Sequence, residues 1–162
     1  EATKGKDRDM GTAENRSMMG TGMELNGIMN KELFLHFLDL EVKRACRYQN
    51  FLCLLVVKLE QYPKRNGEDD DGICREIVGN LLKVEIRESD ILASFGSNQL
   101  VILLPYADKG AGNVAKARLE NSLNHYEFKE MGYEVKVQQV CFPMDGTCTK
   151  DLLKRMLSVE MN

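Results

Sequence analysis

Candidate metal ligands are scarce in this sequence. The chain has only two histidines, His36 and His125, and neither has a second histidine or a cysteine at a spacing typical of a metal site. Its five cysteines include no CxxC pair, so we expect no zinc site and no metal cofactor. An odd number of cysteines, mostly in apolar segments, instead predicts reduced, buried thiols in a cytosolic protein.

An excess of positive charge and a long apolar run are also lacking. A net charge of -3 and a pI near 5.5 argue against a general nucleic-acid binder, although they leave room for one local basic site. No apolar segment approaches the roughly 20 residues that a membrane span requires, and no signal peptide is recognisable. We therefore expect a cytoplasmic protein, in which 43% hydrophobic residues suffice to bury one core.

The start of the chain differs from the rest. Residues 1–23 are polar, rich in Gly and Thr, and show no sustained period, which predicts a flexible linker or arm. Residues 24–162 are predicted to form one folded domain. A start at Glu1 rather than at Met is consistent with a piece of a longer protein that carries a sensory or partner domain upstream.

The sequence pattern is organised around segment 87–105, RESDILASFGSNQLVILLP. Residues 91–95 alternate as a strand does, and residues 100–104 are continuously apolar, which is typical of a strand covered on both faces. Gly96 and Asn98 tolerate positive φ, which suits a tight turn between the two strands. The segment therefore predicts a central hairpin whose tip holds polar side chains at one edge of the sheet.

Periodicity and cap residues predict four helices, over 31–48, 73–84, 106–126 and 150–161. Asn30, Asp108 and Thr149 are suited to cap the first, third and fourth of them. The predicted inward face of the second helix carries Ile73, Ile77, Leu81 and Val84. Apolar runs predict further strands at 51–57, adjacent to 100–104 in the sheet, and at 133–140. This order predicts an α/β fold, more closely an α+β sandwich, with a central, mostly antiparallel sheet of about five strands and flanking helices.

An Arg-x-x-Asp motif, Arg87 and Asp90, stands five residues before the Gly-led turn, and the next strand ends in Leu-Pro. This arrangement resembles that of the GGDEF domain family, whose members make cyclic di-GMP from two GTP molecules. The opening LNGIMNK at 25–31 is similar to the family's DxLTGLxNRxxF, and FPMDG at 142–146 matches its YPxDG turn. The order and distances of these motifs extend the resemblance over about residues 24 to 160, and they imply a GGDEF-like, nucleotidyl-cyclase-like fold.

The resemblance also implies an active site that has lost its acids. The signature turn reads GSNQL at 96–100, and Lys58 stands where the family has a Mg²⁺-binding Asp, with Glu60 at the second acid of that motif. An ammonium cannot ligate Mg²⁺, and amides do not deprotonate a hydroxyl at neutral pH. Asn66 and Asp71 fall near the family's guanine-reading motifs. The degenerate positions are Lys58, Glu60, Asn66, Asp71, Gly96, Ser97, Asn98 and Gln99.

Plainer interpretations of these positions stay open. Taken alone, Lys58 is also typical of a lysine at the end of a buried strand, whose aliphatic stem covers apolar surface while its ammonium reaches water. The acidic run of the loop at 63–72 is also typical of a solvated loop.

A second site is implied by the Arg-x-x-Asp motif, which in the family holds product cyclic di-GMP at an inhibitory site. Arg87 and Asp90 stand at that spacing, and Arg118 on the following helix corresponds to a supporting arginine, unless a slip of one residue puts Ala117 there. A guanidinium can bind guanine or phosphate, and a carboxylate can accept from guanine N1 and N2. The structural alternative is that Arg87 and Asp90 only pair with each other at a helix-to-strand junction.

Three functions follow from these observations. The first is a catalytically inactive signalling domain that binds cyclic di-GMP through Arg87, Asp90 and Arg118. The second is a structural or protein-interaction module, either a homodimer or a support for a partner signalling domain, with no nucleotide ligand. The third is residual diguanylate cyclase activity, which the lost acids disfavour.

Overall fold

The structure is a computed structural model that describes residues 27–61 and 71–158. The predicted arm at 1–23 and Asn66 lie outside these residues. The helices are α1 (Lys31–Tyr48), α2 (Asp71–Glu85), α3 (Lys109–Asn124) and α4 (Thr149–Ser158). The strands are β1 (Leu52–Gln61), β2 (Ile91–Ser94), β3 (Gln99–Pro105) and β4 (Tyr133–Phe142). The predicted order of helices and strands is therefore confirmed.

The described strands form one antiparallel sheet in the order β2-β3-β1-β4. β1 and β3 are adjacent and central, as predicted, and all of 52–57 and 100–104 is buried. Where about five strands were expected, the described residues form four, and Met29 adds an isolated parallel bridge to Ala93 of β2. The predicted fold class is confirmed.

Alternate side chains of the sheet enter two apolar layers, because successive residues of a strand point to opposite faces. One layer joins the sheet to α2 and α3 through residues such as Val57, Val78 and Leu119. The other joins it to α1 and α4 through residues such as Phe34 and Leu152. Helices therefore cover both faces of the sheet, which explains why β1 and β3 are apolar without alternation.

Two of the three predicted caps are confirmed. Asn30 Oδ1 accepts from Leu33 N at 2.9 Å, and Asp108 Oδ1 accepts from Ala111 N at 2.8 Å. Thr149 is instead the first residue of α4, and its hydroxyl donates to Asp39 of α1 at 2.9 Å. A short polar side chain near a helix start can serve either local or tertiary contacts, and here it joins two helices.

The predicted inward face of α2 is wrong at both ends. Ile73 and Val84 are 56% and 82% exposed, whereas Cys74, Val78 and Leu82 are buried. The buried face of α2 is therefore offset by one residue along the helix from the predicted face. Cys74, which behaves as a small apolar residue, faces the core in place of Ile73.

None of the described helices is long and apolar enough to cross a membrane.

Candidate functional site

The turn between β2 and β3 is fixed by backbone bonds at its base. Phe95 N donates to Gln99 O at 2.9 Å, and Gly96 has a φ of 114°, which side-chain-bearing residues rarely adopt. Leu59 N of β1 donates to Asn98 O at 2.8 Å. The turn is thus joined to the end of the neighbouring central strand, which brings together the positions of both segments that the sequence predicts to be degenerate.

Lys58 and Glu60 form a small ionic network at that end of β1. Lys58 Nζ lies 3.3 Å from Glu60 Oε1, and Lys136 Nζ of β4 lies 3.6 Å from Glu60 Oε2. Hydrogen bonding to Lys58 holds the pKa of the Glu60 carboxyl below its usual value, and Lys136 adds to this effect. The carboxylate is therefore already engaged by two ammonium groups.

The remaining positions that the sequence predicts to be degenerate divide into buried and exposed ones. Gln99 is buried and lies opposite Lys58 in the β1–β3 register. Gly96, Ser97 and Asn98 are exposed at the tip. Asp71 is the first residue of α2. Within the described ranges, no three His, Cys, Asp or Glu side chains come together as a metal site would require.

Beside the turn lie two basic residues that the sequence pattern did not single out. Arg75 of α2 donates to the Ser94 hydroxyl, which itself contacts Gly96 O at 3.4 Å. Lys31 of α1 stacks its ammonium 4.7 Å from the centre of the Phe95 ring. Neither adjoins the motif in sequence, so only the packing of α1 and α2 against the hairpin reveals them.

Arg87 and Asp90 lie in the turn that leads from α2 into β2. Asp90 Oδ2 accepts from the backbone N–H of Arg87 at 2.8 Å, and Asp90 N donates to Arg87 O at 3.0 Å. The guanidinium of Arg87 is exposed and forms no hydrogen bond or ion pair among the described residues. The side-chain pairing that was the structural alternative for these two residues is therefore replaced by a contact from the Asp90 carboxylate to the Arg87 backbone, which fixes the turn and leaves the guanidinium accessible.

Arg118 of α3 is held by the end of α2. Its Nη2 donates to Glu85 O at 3.0 Å, and its Nε lies 3.4 Å from Glu85 Oε2. Ser122, one turn further along α3, donates to the other oxygen, Glu85 Oε1, at 2.8 Å. Glu85 thus positions Arg118 beside the Arg-x-x-Asp turn. The sequence pattern did not single out Glu85, although it stands only two residues before Arg87.

Arg87, Asp90 and Arg118 line one cleft between the end of α2, the end of β3 and the start of α3. Its volume is about 90 Å³, and Arg118 rather than Ala117 faces it. The floor is apolar, with Pro105, Ala111 and Val114 among its residues. The three residues singled out from the sequence are therefore brought together, with two cations, one carboxylate and an apolar surface in a single shallow site.

Comparison with known proteins places this geometry in context. The chain matches the family described as diguanylate cyclase, GGDEF domain, over residues 24–156. It is 27% identical over 117 residues to diguanylate cyclase DgcP of Pseudomonas aeruginosa, which covers 70% of this chain. The match covers 17% of DgcP, so this chain spans less than a fifth of that relative.

Solved structures share the fold. The coiled coil and GGDEF domain of DgcB from Caulobacter crescentus, in complex with c-di-GMP, has a TM-score of 0.72 at 14% identity, covering 97% of this chain and 87% of that one. The FimX GGDEF domain from Pseudomonas aeruginosa has a TM-score of 0.72 at 16% identity, covering 85% and 90%. Diguanylate cyclase SiaD of Pseudomonas aeruginosa, in complex with its activator SiaC, has a TM-score of 0.58 at 14% identity, covering 97% and 67%. Because the family match extends over most of the chain and agrees with this fold, the chain belongs to the GGDEF domain family.

Proposed function

We propose that this domain is a catalytically inactive member of its family that binds cyclic di-GMP through Arg87, Asp90 and Arg118. The observation that carries the proposal is the convergence of these three residues on one cleft, with the Arg87 guanidinium exposed. The signal would be read by a domain or partner joined to this one, and the reaction of the family would be absent.

The ionic network at the end of β1 supports the proposed loss of catalysis. A Mg²⁺ ion at the position of Lys58 would meet an ammonium, and at an effective dielectric near 20 a unit charge about 4 Å away costs about 4 kcal/mol per unit of cation charge. Glu60 reduces that repulsion, because it lies 3.3 Å from Lys58 Nζ. The same carboxylate is shared with Lys136, however, so a metal would have to displace two ammonium groups to use it.

We expect no cyclic di-GMP from GTP and Mg²⁺ with the purified chain. Gln99→Glu alone should not restore synthesis, since Lys58 still occupies the metal position. Product would be quantified by chromatography against a blank without protein and against an active diguanylate cyclase. Product above the blank from the unmodified chain would contradict the inactive assignment.

Ligand recognition in the cleft would use charged hydrogen bonds over an apolar floor. The guanidinium of Arg87 can fork onto guanine O6 and N7 or onto a phosphate, and each charged bond contributes roughly 1.5 to 3 kcal/mol. Arg118 has five N–H donors, of which those facing Glu85 are occupied and the rest can reach a ligand. Asp90 uses Oδ2 for the turn, which leaves Oδ1 to accept from guanine N1 or N2.

Asp90→Asn separates the two tasks of this carboxylate. The amide oxygen can still accept from Arg87 N–H, so the melting midpoint should stay unchanged. Binding of cyclic di-GMP should weaken about tenfold, because the amide loses the charge that strengthens its bonds to guanine. Calorimetric titration of Asp90→Asn and of the parent chain would show this, with cyclic di-AMP binding as poorly to the variant as to the parent. Equal affinity of the variant and the parent for cyclic di-GMP would remove Asp90 from the site.

A protein-interaction module without a nucleotide ligand is the second candidate. The small volume of the cleft, about 90 Å³, favours it, since a dinucleotide could contact only its edge. SiaD, which shares the fold, is described in complex with an activator protein. A chain that binds no cyclic di-GMP but elutes as a dimer in size-exclusion chromatography with light scattering would support this candidate over the receptor.

A further inference from the structure

Two cysteines face each other near one end of the paired strands β1 and β4. Cys53 of β1 and Cys141 of β4 are directly opposed in the antiparallel register, and their sulfur atoms are 2.7 Å apart. Both are free thiols and both are buried. Opposed positions on antiparallel strands bring Cβ atoms close to the separation that a disulfide requires.

The surroundings of the pair favour negative charge on Cys141. Gln139 Nε2 donates to Cys141 Sγ at 3.0 Å and is itself oriented by Lys109 O at 3.1 Å. Hydrogen bonds from Cys53 and, to a smaller extent, from Gln139 lower the pKa of Cys141 to about 7, against the opposing effects of burial and of the charge of Asp145. The pKa of Cys53 is raised, mainly by its hydrogen bond to Cys141 and by burial. Because Gln139 Nε2 lies 3.0 Å from Cys141 Sγ but 3.7 Å from Cys53 Sγ, its amide favours the thiolate on Cys141 over the thiolate on Cys53.

A cavity gives Cys141 a route to small molecules. Cys141 and Gln139 line an open cavity of about 560 Å³ between β4 and α3, which Lys109 and Lys116 also line. Gly112 lets α3 approach the pair, because a Cβ there would lie 2.8 Å from Cys53 Sγ. Cys74 of α2, by contrast, is buried and does not line this cavity.

We propose that Cys53 and Cys141 are an oxidisable pair, in which Cys141 reacts first with hydrogen peroxide through the cavity and Cys53 then closes a disulfide. The Cys141 thiolate attacks one peroxide oxygen, the O–O bond breaks, and the hydroxide that leaves takes up a proton as water. The Cys53 sulfur then attacks the sulfenic sulfur of Cys141, and the S–O bond breaks. The leaving oxygen takes the Cys53 proton and departs as water. The two thiols lose two electrons and the peroxide gains them.

The test uses the full chain with the exposed cysteines replaced, Cys46→Ser and Cys148→Ser, so that the buried thiols alone report. After treatment with hydrogen peroxide, non-reducing peptide mapping should recover one peptide that links Cys53 to Cys141, while Cys74 remains open to alkylation after unfolding. In this background, Cys53→Ser should accumulate a sulfenic acid on Cys141 that dimedone traps. Cys141→Ser should give no dimedone adduct on Cys53.

The two single variants also guard against a folding artefact. A serine at 53 retains acceptors for its hydroxyl, since Cys53 Sγ already lies 3.3 Å from Ala107 O and 3.2 Å from Asp108 O. A cooperative thermal melt for each variant establishes that it is folded. Absence of the Cys53–Cys141 peptide, or a dimedone adduct on Cys53 rather than Cys141, would overturn the proposal.

Discussion

Ile102→Asp is expected to leave the domain unfolded at room temperature. Ile102 is fully buried in β3, between Leu55 of β1 and Leu92 of β2, in the layer that packs against α2 and α3. A carboxylate there has no partner and is out of water, which costs several kcal/mol against a total stability of about 5 to 15 kcal/mol. Val57→Asp should have the same effect, because Val57 is fully buried in the adjacent strand.

Val84→Asp is the matched control for this experiment. It places the same carboxylate on a valine that is 82% exposed on α2, so it should not lower the melting midpoint appreciably. Far-UV circular dichroism during heating would compare the three variants with the parent chain. A soluble Ile102→Asp variant that melts cooperatively at the parent midpoint would show that the core is not built around β3.

Arg87→Ala is expected to weaken cyclic di-GMP binding at least about thirtyfold, or about 2 kcal/mol, through the loss of its charged hydrogen bonds. Stability should be almost unchanged, because the exposed guanidinium makes no bond among the described residues. The backbone N–H that Asp90 accepts from is retained in the variant. Calorimetry should therefore show weaker binding by Arg87→Ala, while its melting midpoint stays that of the parent chain.

Arg155→Ala supplies the control for removal of a positive charge. Arg155 is 62% exposed on α4 and lies 3.9 Å from Asp145, outside the cleft. Its removal lowers the net charge by the same amount, so the affinity for a ligand attracted only by bulk charge would fall equally in Arg87→Ala and Arg155→Ala. Equal weakening by the two changes would contradict a specific role for Arg87.

The sequence was sufficient for those parts of the molecule that depend on neighbours along the chain. The apolar run of β3, the glycine of its turn, and the caps Asn30 and Asp108 all act locally, so their pattern predicts their structure. The inward face of α2 could not be predicted in this way, because its register depends on which residue meets the sheet. Cys74 is buried there and Val84 is not.

Contacts between distant segments account for what the sequence did not predict in the sites. Lys136 reaches Glu60 because β4 pairs with β1, and Glu85 holds Arg118 because α2 and α3 lie side by side. Cys53 and Cys141 likewise meet only through the register of two strands. No local pattern encodes such pairs. The Arg-x-x-Asp spacing could be recognised because the motif is short, whereas its backbone hydrogen bond required the turn geometry.

Titration of cyclic di-GMP into the unmodified chain by isothermal calorimetry tests the receptor proposal most directly. We predict a saturable heat with a dissociation constant below about 100 μM, since several charged hydrogen bonds would converge on the ligand in the cleft of Arg87, Asp90 and Arg118. The absence of heat, and of any chemical-shift change, at high micromolar ligand would contradict it and leave the protein-interaction module as the better description.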